Sequence, residues 1–365
     1  MIRPVPVALI GLCGILLSAC GGTAATTPVS ASIGARTLPD IKPPAFIPGP
    51  FDGQSTPRNL GLRRPLAVIL ENYSPDSRPQ AGLAAASTVV ETLAEGGVTR
   101  FMAIYLEHDA TKVGPVRSTR VYFDHWAAGL HAILAHVGGN DDAQRQLWLL
   151  PKVFNIDENR WEISLFNTGT PLFWRSADRV APHNMYTSTF KLRQYAAGKQ
   201  QNWAYDNAYL LHKQPAALKA RGHATVLSIA FANPLAPTPV SDYGVKYVYN
   251  RAANTYLRYM GGTPHVDANT HQPLSPANVI VMQTGPATAD PYAGITPESI
   301  LIPTIGSGTA WYFRDGGLTR GTWHQQNSNA PLTFLDRRGR VVAFNPGQTW
   351  IEVVPPNTRA TWTVR

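Results

Sequence analysis

Cysteine is nearly absent from this chain: two in 365 residues, Cys13 and Cys20, both among the first twenty. The remaining body has no thiol, which excludes disulfides, thiolate metal sites and a cysteine nucleophile there. Lysine is sparse too, 8 against 24 arginines. No later apolar run reaches the ~18–20 residues that a membrane-spanning helix needs, so the body is expected to be soluble. Several chemical signatures are also missing. There is no Gly-x-Ser-x-Gly, no Walker loop and no His-Glu-x-x-His, and no nucleic-acid-binding motif. His125, His131 and His136 do not share one helix face. His265, Asp267 and His271 lie close together but in a Gly/Pro/Asn-rich stretch that reads as a hairpin connection. No metal site and no cofactor are expected.

What is present begins at the N-terminus. Arg3 precedes an apolar run from Val7 to Leu17, and Leu17-Ser18-Ala19-Cys20 then sets small residues directly before a cysteine. This resembles the lipobox of a bacterial lipoprotein signal peptide, which implies removal of residues 1–19 and lipidation of Cys20. An ordinary secretory signal or an anchor helix is the alternative. The expected location is the extracytoplasmic face of the cell membrane, anchored by lipid on Cys20. Residues 20–62, rich in Thr, Ser, Pro and Gly, read as a flexible tether with a reach of roughly 35 Å.

Residues 63–205 read as an α/β domain. Strands are expected at 65–70, 99–106 and 131–137, and helices at 82–94, 118–130 (with Ser118 as cap), 140–149 (with Asn140 as cap) and 187–197. The alternation implies parallel strands and a three-layer α/β N-terminal domain. Residues 206–222 form a connector. Residues 223–365 carry many short β-type runs separated by turns, which imply a mostly antiparallel β (α+β) C-terminal domain.

The net charge of +9 suggests an anionic partner, although arginine-rich coding gives the same balance. Polar residues expected beyond the carboxyl ends of the parallel strands are Glu71-Asn72, the Gly114–Arg120 segment with Arg117, Ser118 and Arg120, and His136 with Asn140. A helix start with two arginines makes an anion site. The bland counterparts are an Arg117 ion pair with Glu71 or Glu95 and a hydrogen-bonded core histidine. Arg78 and Gln80 in a loop, and Glu95 and Arg100 around a Gly-Gly turn, complete the ligand-binding candidates. In a strictly parallel sheet that turn lies at the far end from Arg117, so it is either scaffold or a sign of a different strand direction.

In order along the chain, Pro65-Leu66-Ala67-Val68, Arg78-Pro79-Gln80-x-Gly82-Leu83, Glu95-Gly96-Gly97-x-Thr99-Arg100 and Gly114-Pro115-Val116-Arg117-Ser118-x-Arg120 resemble the YerB-like family of bacterial envelope lipoproteins. Tyr256-x-Arg258, His265-x-Asp267, Asn278-Val279-Ile280-Val281 and the run from Gly321-x-Trp323 to Asn345-Pro346-Gly347-x-Thr349-Trp350 are similar to its C-terminal half. The resemblance covers about residues 60–360. It implies a two-domain extracytoplasmic lipoprotein and no reaction, because that family is one of unknown function.

Three functions follow. The first is binding of an anionic or glycan envelope ligand, such as a cell-wall polymer or lipid-linked phosphate, in the N-terminal cleft. The second is a hydrolase or transferase on a phosphate- or carboxylate-bearing envelope substrate, with Glu95 or His136 as general base. The third is a protein-interaction patch made of Trp311, Tyr312, Trp323 and Trp350. No catalytic residue is assigned, and the oligomeric state is not readable.

Overall fold

The computed structural model describes residues 43–160, 162–163, 171–204, 209–232, 241–292, 294, 299–356 and 358–365. Cys20, the lipobox and Trp161 lie outside them. In chain order the main strands are β1 (Leu66–Glu71), β2 (Thr88–Leu93), β3 (Thr99–Tyr105), β4 (Ile133–His136), β5 (Phe154–Asp157), β6 (Thr225–Ala230), β7 (Val245–Asn250), β8 (Thr255–Met260), β9 (Thr263–Pro264), β10 (Asn278–Gln283), β11 (Gly306–Arg314), β12 (Gly317–Gln325), β13 (Thr333–Asp336), β14 (Thr349–Val354) and β15 (Arg359–Val364). The longer helices are α1 (Val121–Gly129), α2 (Asp141–Trp148) and α3 (Thr189–Gly198). Among the described residues the fold is mostly β.

One ten-stranded sheet runs through both halves of the sequence in the order β13-β12-β11-β10-β14-β2-β3-β1-β4-β5. A five-stranded antiparallel sheet, β9-β8-β7-β6-β15, is built from the second half alone. The strands Leu-Ala-Val-Ile-Leu-Glu, Thr-Val-Val-Glu-Thr-Leu and Thr-Trp-Ile-Glu-Val-Val are buried at every position, as continuous apolar runs covered on both faces must be. The halves meet where β14 pairs in parallel with β2, setting Trp350 beside Val89 and Ile351 beside Val90.

Three expectations need correction. The helix expected over 82–94 is a single 3-10 turn at Leu83–Ala85 followed by strand β2. Thr88, Val89, Val90 and Thr92 are β-branched, lose side-chain freedom in a helix and pack well on a pleated surface. That extra strand changes the sheet. β3 runs antiparallel to both β2 and β1, whereas β1 pairs in parallel with β4 and β4 with β5. The Glu95-Gly96-Gly97 turn is therefore the hairpin between β2 and β3. Finally, the end of the proposed tether is structured. Phe46–Pro48 pairs antiparallel with Ser55–Pro57, and the Phe51 ring between them is fully buried, an apolar anchor that a free tether would leave in water.

The helices near 118–130, 140–149 and 187–197 form as α1, α2 and α3. Asn140 caps α2 by accepting from the Ala143 N–H at 3.3 Å. Ser118 does not cap α1; Arg120 occupies that position without a side-chain cap bond. Of the aromatic patch of the interaction reading, Tyr312, Trp323 and Trp350 are buried core and Trp311 is partly buried against it. Residues 44–365 make one compact unit with its own core. Ile351→Ala at the seam is expected to cost about 2–5 kcal/mol. Because the halves share a sheet, urea unfolding followed by tryptophan fluorescence and by far-UV circular dichroism should still give one coincident transition.

Candidate functional site

The register at the seam places two carboxylates side by side. Glu352 of β14 pairs with Glu91 of β2, and registered residues of neighbouring strands leave the sheet on the same face. Both are sealed from solvent, as is Arg258 in the middle of β8. Arg258 Nη2 donates to Glu91 Oε2 and lies 3.8 Å from Glu352 Oε1. Its Nε donates to the Tyr247 hydroxyl at 3.0 Å, and that hydroxyl donates to Glu352 Oε1 at 2.5 Å. The guanidinium lies 4.1 Å from the centroid of the Trp350 ring, a cation–π contact.

Burial would pull the Arg258 pKa down, but Glu91, Tyr247 and Glu352 outweigh it and keep the group charged. Burial and the adjacent Glu91 charge push the Glu352 carboxyl well above the usual carboxylate range. The protonated form of Glu352 is thus favoured, its side chain hydrogen-bonded to that of Glu91. One negative charge, on Glu91, faces one positive charge, on Arg258. Two carboxylates side by side in a dry interior cannot both ionise cheaply.

From Arg258 a closed ring of hydrogen bonds runs through both halves. Arg258 Nη1 donates to His265 Nδ1, and His265 Nε2 meets Gln80 Oε1 at 2.9 Å. Gln80 Nε2 donates to Asn72 Oδ1 at 2.9 Å, and Asn72 Nδ2 to Thr99 Oγ1 at 2.6 Å. The Thr99 hydroxyl donates to Glu91 Oε1 at 2.6 Å, returning to Arg258. Arginine only donates, so His265 Nδ1 accepts and its hydrogen sits on Nε2. Burial and the Arg258 charge keep His265 neutral, well below the usual histidine range.

One member of this ring, His265, also lines an open cavity of about 340 Å³, together with Arg78, Ser74, Thr263 and Asp242 among others. Arg78 Nε donates to Asn72 Oδ1 at 2.8 Å and its Nη1 to the Asp242 carbonyl at 2.8 Å. Its guanidinium lies over the Tyr243 ring at 5.0 Å. Burial lowers its pKa, and it makes no salt bridge among the described residues. Gly261, at φ +56°, forms the turn after β8; a Cβ there would come within 3.2 Å of the Asp242 carbonyl and 3.5 Å of Arg78 Nη1.

The sequence candidates fall into four places. Arg78 comes together with His265 at this cavity, and Gln80 lies buried behind it, bonded to His265. Glu95, Arg100 and Arg120 make a separate closed cluster: Arg120 Nε donates to Glu95 Oε1, Arg100 Nη2 lies 3.3 Å from Glu95 Oε2, and Arg100 Nη1 donates to the Ser118 carbonyl at 2.9 Å. Ser118 Oγ donates to the Val137 carbonyl at 2.9 Å. Arg117 turns to Glu71 at 3.0 Å, and the other oxygen of Glu71 meets His183 Nδ1 at 3.0 Å. His136 is fully buried between the Gly138 carbonyl and Asn155 Oδ1, and Asn140 is committed to its cap and to Asp290. Asp267 accepts from the Ala84 and Asn269 N–H groups at 2.9 and 2.7 Å, as a turn-fixing residue does.

Glu91, Glu352, Arg258, Tyr247 and Thr99 were not singled out as site residues. The signal was available: β2, β8 and β14 each carry one ion as the fourth residue of a strand otherwise free of charge. A lone ion in a buried strand requires a partner.

Comparison with known proteins now bears on this architecture. Sequence profiles for the N- and C-terminal domains of proteins of unknown function DUF3048 match residues 52–203 and 237–351. The chain belongs to the DUF3048 family. It is 30% identical over 317 residues to YerB of Bacillus subtilis (strain 168), a protein named as an inferred lipoprotein, covering 85% of this chain and 86% of that one. The crystal structure of the YerB protein from Bacillus subtilis superposes with a TM-score of 0.72 at 27% identity, over 86% of this chain and 99% of that one. The resemblance implied by the ordered motifs is thereby shown. Both DUF3048 domains contribute to the ring, with Gln80, Asn72, Thr99 and Glu91 from the first and Arg258 and His265 from the second.

Three consequences are measurable. Glu352→Gln mimics the protonated acid. Since the folded pKa is raised, wild type loses stability as pH rises above about 4.5 towards that folded pKa, and the variant should gain over wild type along that rise in urea melts. Glu91→Gln strands Arg258 and should cost about 3–5 kcal/mol. The Glu95 cluster behaves oppositely. Burial would raise the Glu95 pKa, but Arg100 and Arg120 outweigh it and hold the carboxyl at about 2. Its contribution, about 3 kcal/mol, is present above about pH 4.5 and lost as pH falls towards about 2. Glu95→Gln should flatten acid unfolding across that window.

Proposed function

We propose that this chain is a lipid-anchored extracytoplasmic protein that binds an anionic envelope ligand, a phosphate- or carboxylate-bearing polymer or a lipid-linked phosphate, in the cavity lined by Arg78 and His265. Anchoring through Cys20 rests on the lipobox and on the likeness to YerB. Ligand binding rests on one observation: Arg78 lines an open cavity with no carboxylate in salt-bridge contact among the described residues, Glu91 and Asp242 acting on it through space. Arg100 and Arg120 are committed to Glu95, and Arg117 to Glu71. A guanidinium already paired gains little from an added anion, whereas an unpaired one at a cavity gains a charge-assisted contact. The cavity lies at the junction of the two family domains, not within the first alone.

The hydrolase or transferase reading finds less support. A general base must come within about 3 Å of the proton it takes. His136 is wholly enclosed with both ring nitrogens engaged, and Glu95, held at about 2, is a weak base.

Titration with purified anionic wall polymer at low salt tests the binding. Arg78→Ala should weaken it by at least about tenfold, as expected for loss of a charged hydrogen bond, while Arg117→Ala should leave it within about threefold. Equal binding by wild type and Arg78→Ala would remove the proposal. For the anchor, wild type should incorporate labelled palmitate in cells, and Cys20→Ala should incorporate none.

A further inference from the structure

A second cavity, of about 480 Å³, lies between α3 and the segment entering β1. One side is apolar, made by Leu62, Ile133 and Ala197, and the other is charged, made by Arg63, Arg64 and Arg193. The charges do not balance. Arg63 and Arg193 share one carboxylate, Asp109, at 2.7 and 3.3 Å. Arg64, 2% exposed, has none. It donates instead to neutral oxygens: the His131 and Lys152 carbonyls at 2.6 Å each, the Ala132 carbonyl at 3.4 Å, and the Gln201 carbonyl and Oε1 at 3.3 and 2.8 Å. Its face lies 4.4 Å from the centroid of the Trp203 ring.

Two carboxylates act on these three guanidinium groups, Asp109 in contact and Glu107 through space, and burial pushes the Glu107 pKa up towards its neutral form, so positive charge is in excess. Burial lowers the Arg64 and Arg193 pKa values to about 10, so both remain charged at neutral pH. A buried charge without a counter-ion is costly, and a bound anion offsets it. The terminal nitrogens of Arg63 and Arg193 have N–H groups to spare. Each carries two, and each makes one bond, to Asp109, Leu106, Arg64 or Tyr105. The volume is that of a small-molecule pocket, and polar groups at one end of an apolar wall are what orient such a ligand.

We propose that this cavity binds a small anionic amphiphile, with a phosphate or carboxylate head at Arg63 and Arg193 and an aliphatic tail against Leu62, Ile133 and Ala197. Arg64 contributes through-space attraction, its N–H groups being occupied. The site is separate from the Arg78 cavity, and the two stand or fall independently.

Calorimetric titration of the 44–365 body, which carries both family domains and its own core, tests this with decyl phosphate below its micelle threshold. Decyl phosphate should bind at least about tenfold more tightly than inorganic phosphate, decanol or decyltrimethylammonium. Ala197→Trp, which fills the mouth from an exposed helical position, should weaken it by at least about tenfold with an unchanged melting temperature. Arg63→Gln should weaken decyl phosphate and leave decanol unaffected. Arg78→Ala should change none of these values. Co-sedimentation with phosphatidic acid vesicles that Ala197→Trp abolishes would identify a bilayer lipid as the source of the head group. Decyl phosphate binding without co-sedimentation would identify a soluble amphiphile. Decanol binding as tightly as decyl phosphate, or undiminished binding by Ala197→Trp, would overturn the proposal.

Discussion

The buried charge of Arg258 is the constraint on which the molecule is organised. A guanidinium with no solvent exposure persists only where its surroundings supply a counter-charge and acceptors. Here Glu91 supplies the charge from one half of the sequence, while Tyr247, His265 and the protonated Glu352 complete the shell from the other. The seam between β2 and β14 follows from the same need, since only that register brings the two glutamates together under one arginine. A slip of β14 by one residue would turn Glu352 to the opposite face and part the two carboxylates.

That arrangement also shapes the surface above it. Gln80 and Asn72 belong to the ring, and Arg78 is bonded to Asn72, so the loop that carries Arg78 is fixed by the same polar interior that joins the halves. The cavity is thus a boundary feature of the ring. The other arginines near β1 and β3 are neutralised locally by Glu95 and Glu71, whereas Arg78 and, separately, Arg64 make no contact ion pair among the described residues.

Much of the fold was legible in the chain. Leu66-Ala67-Val68-Ile69-Leu70 could only be a buried strand, and Asn140 followed by Asp141 and Asp142 marked a helix start. β2 was not legible as a strand, because the small residues Ala84-Ala85-Ala86 suggested a helix and outweighed the β-branched run after them. That one element reversed the strand directions and brought the Glu95 turn to the same end as Arg120. At the candidate site, Arg78 and Gln80 stood out locally, but their meaning did not. Arg258 and Glu91 are 167 residues apart, and no local pattern tells a lone strand charge which partner it will meet. The ordered motifs flagged Arg258 and His265 as shared residues without indicating the ring that they close.

The central claim is that Glu91 and Glu352 together carry a single negative charge against Arg258. Infrared difference spectroscopy of the 44–365 body at pH 7 tests it directly, comparing wild type with Glu352→Gln. The account predicts the carbonyl stretch of one buried protonated carboxyl in wild type, missing from the variant, with the carboxylate band of Glu91 retained in both. A wild-type spectrum without a protonated carboxyl, with two ionised carboxylates removed singly by Glu91→Gln and Glu352→Gln, would contradict it.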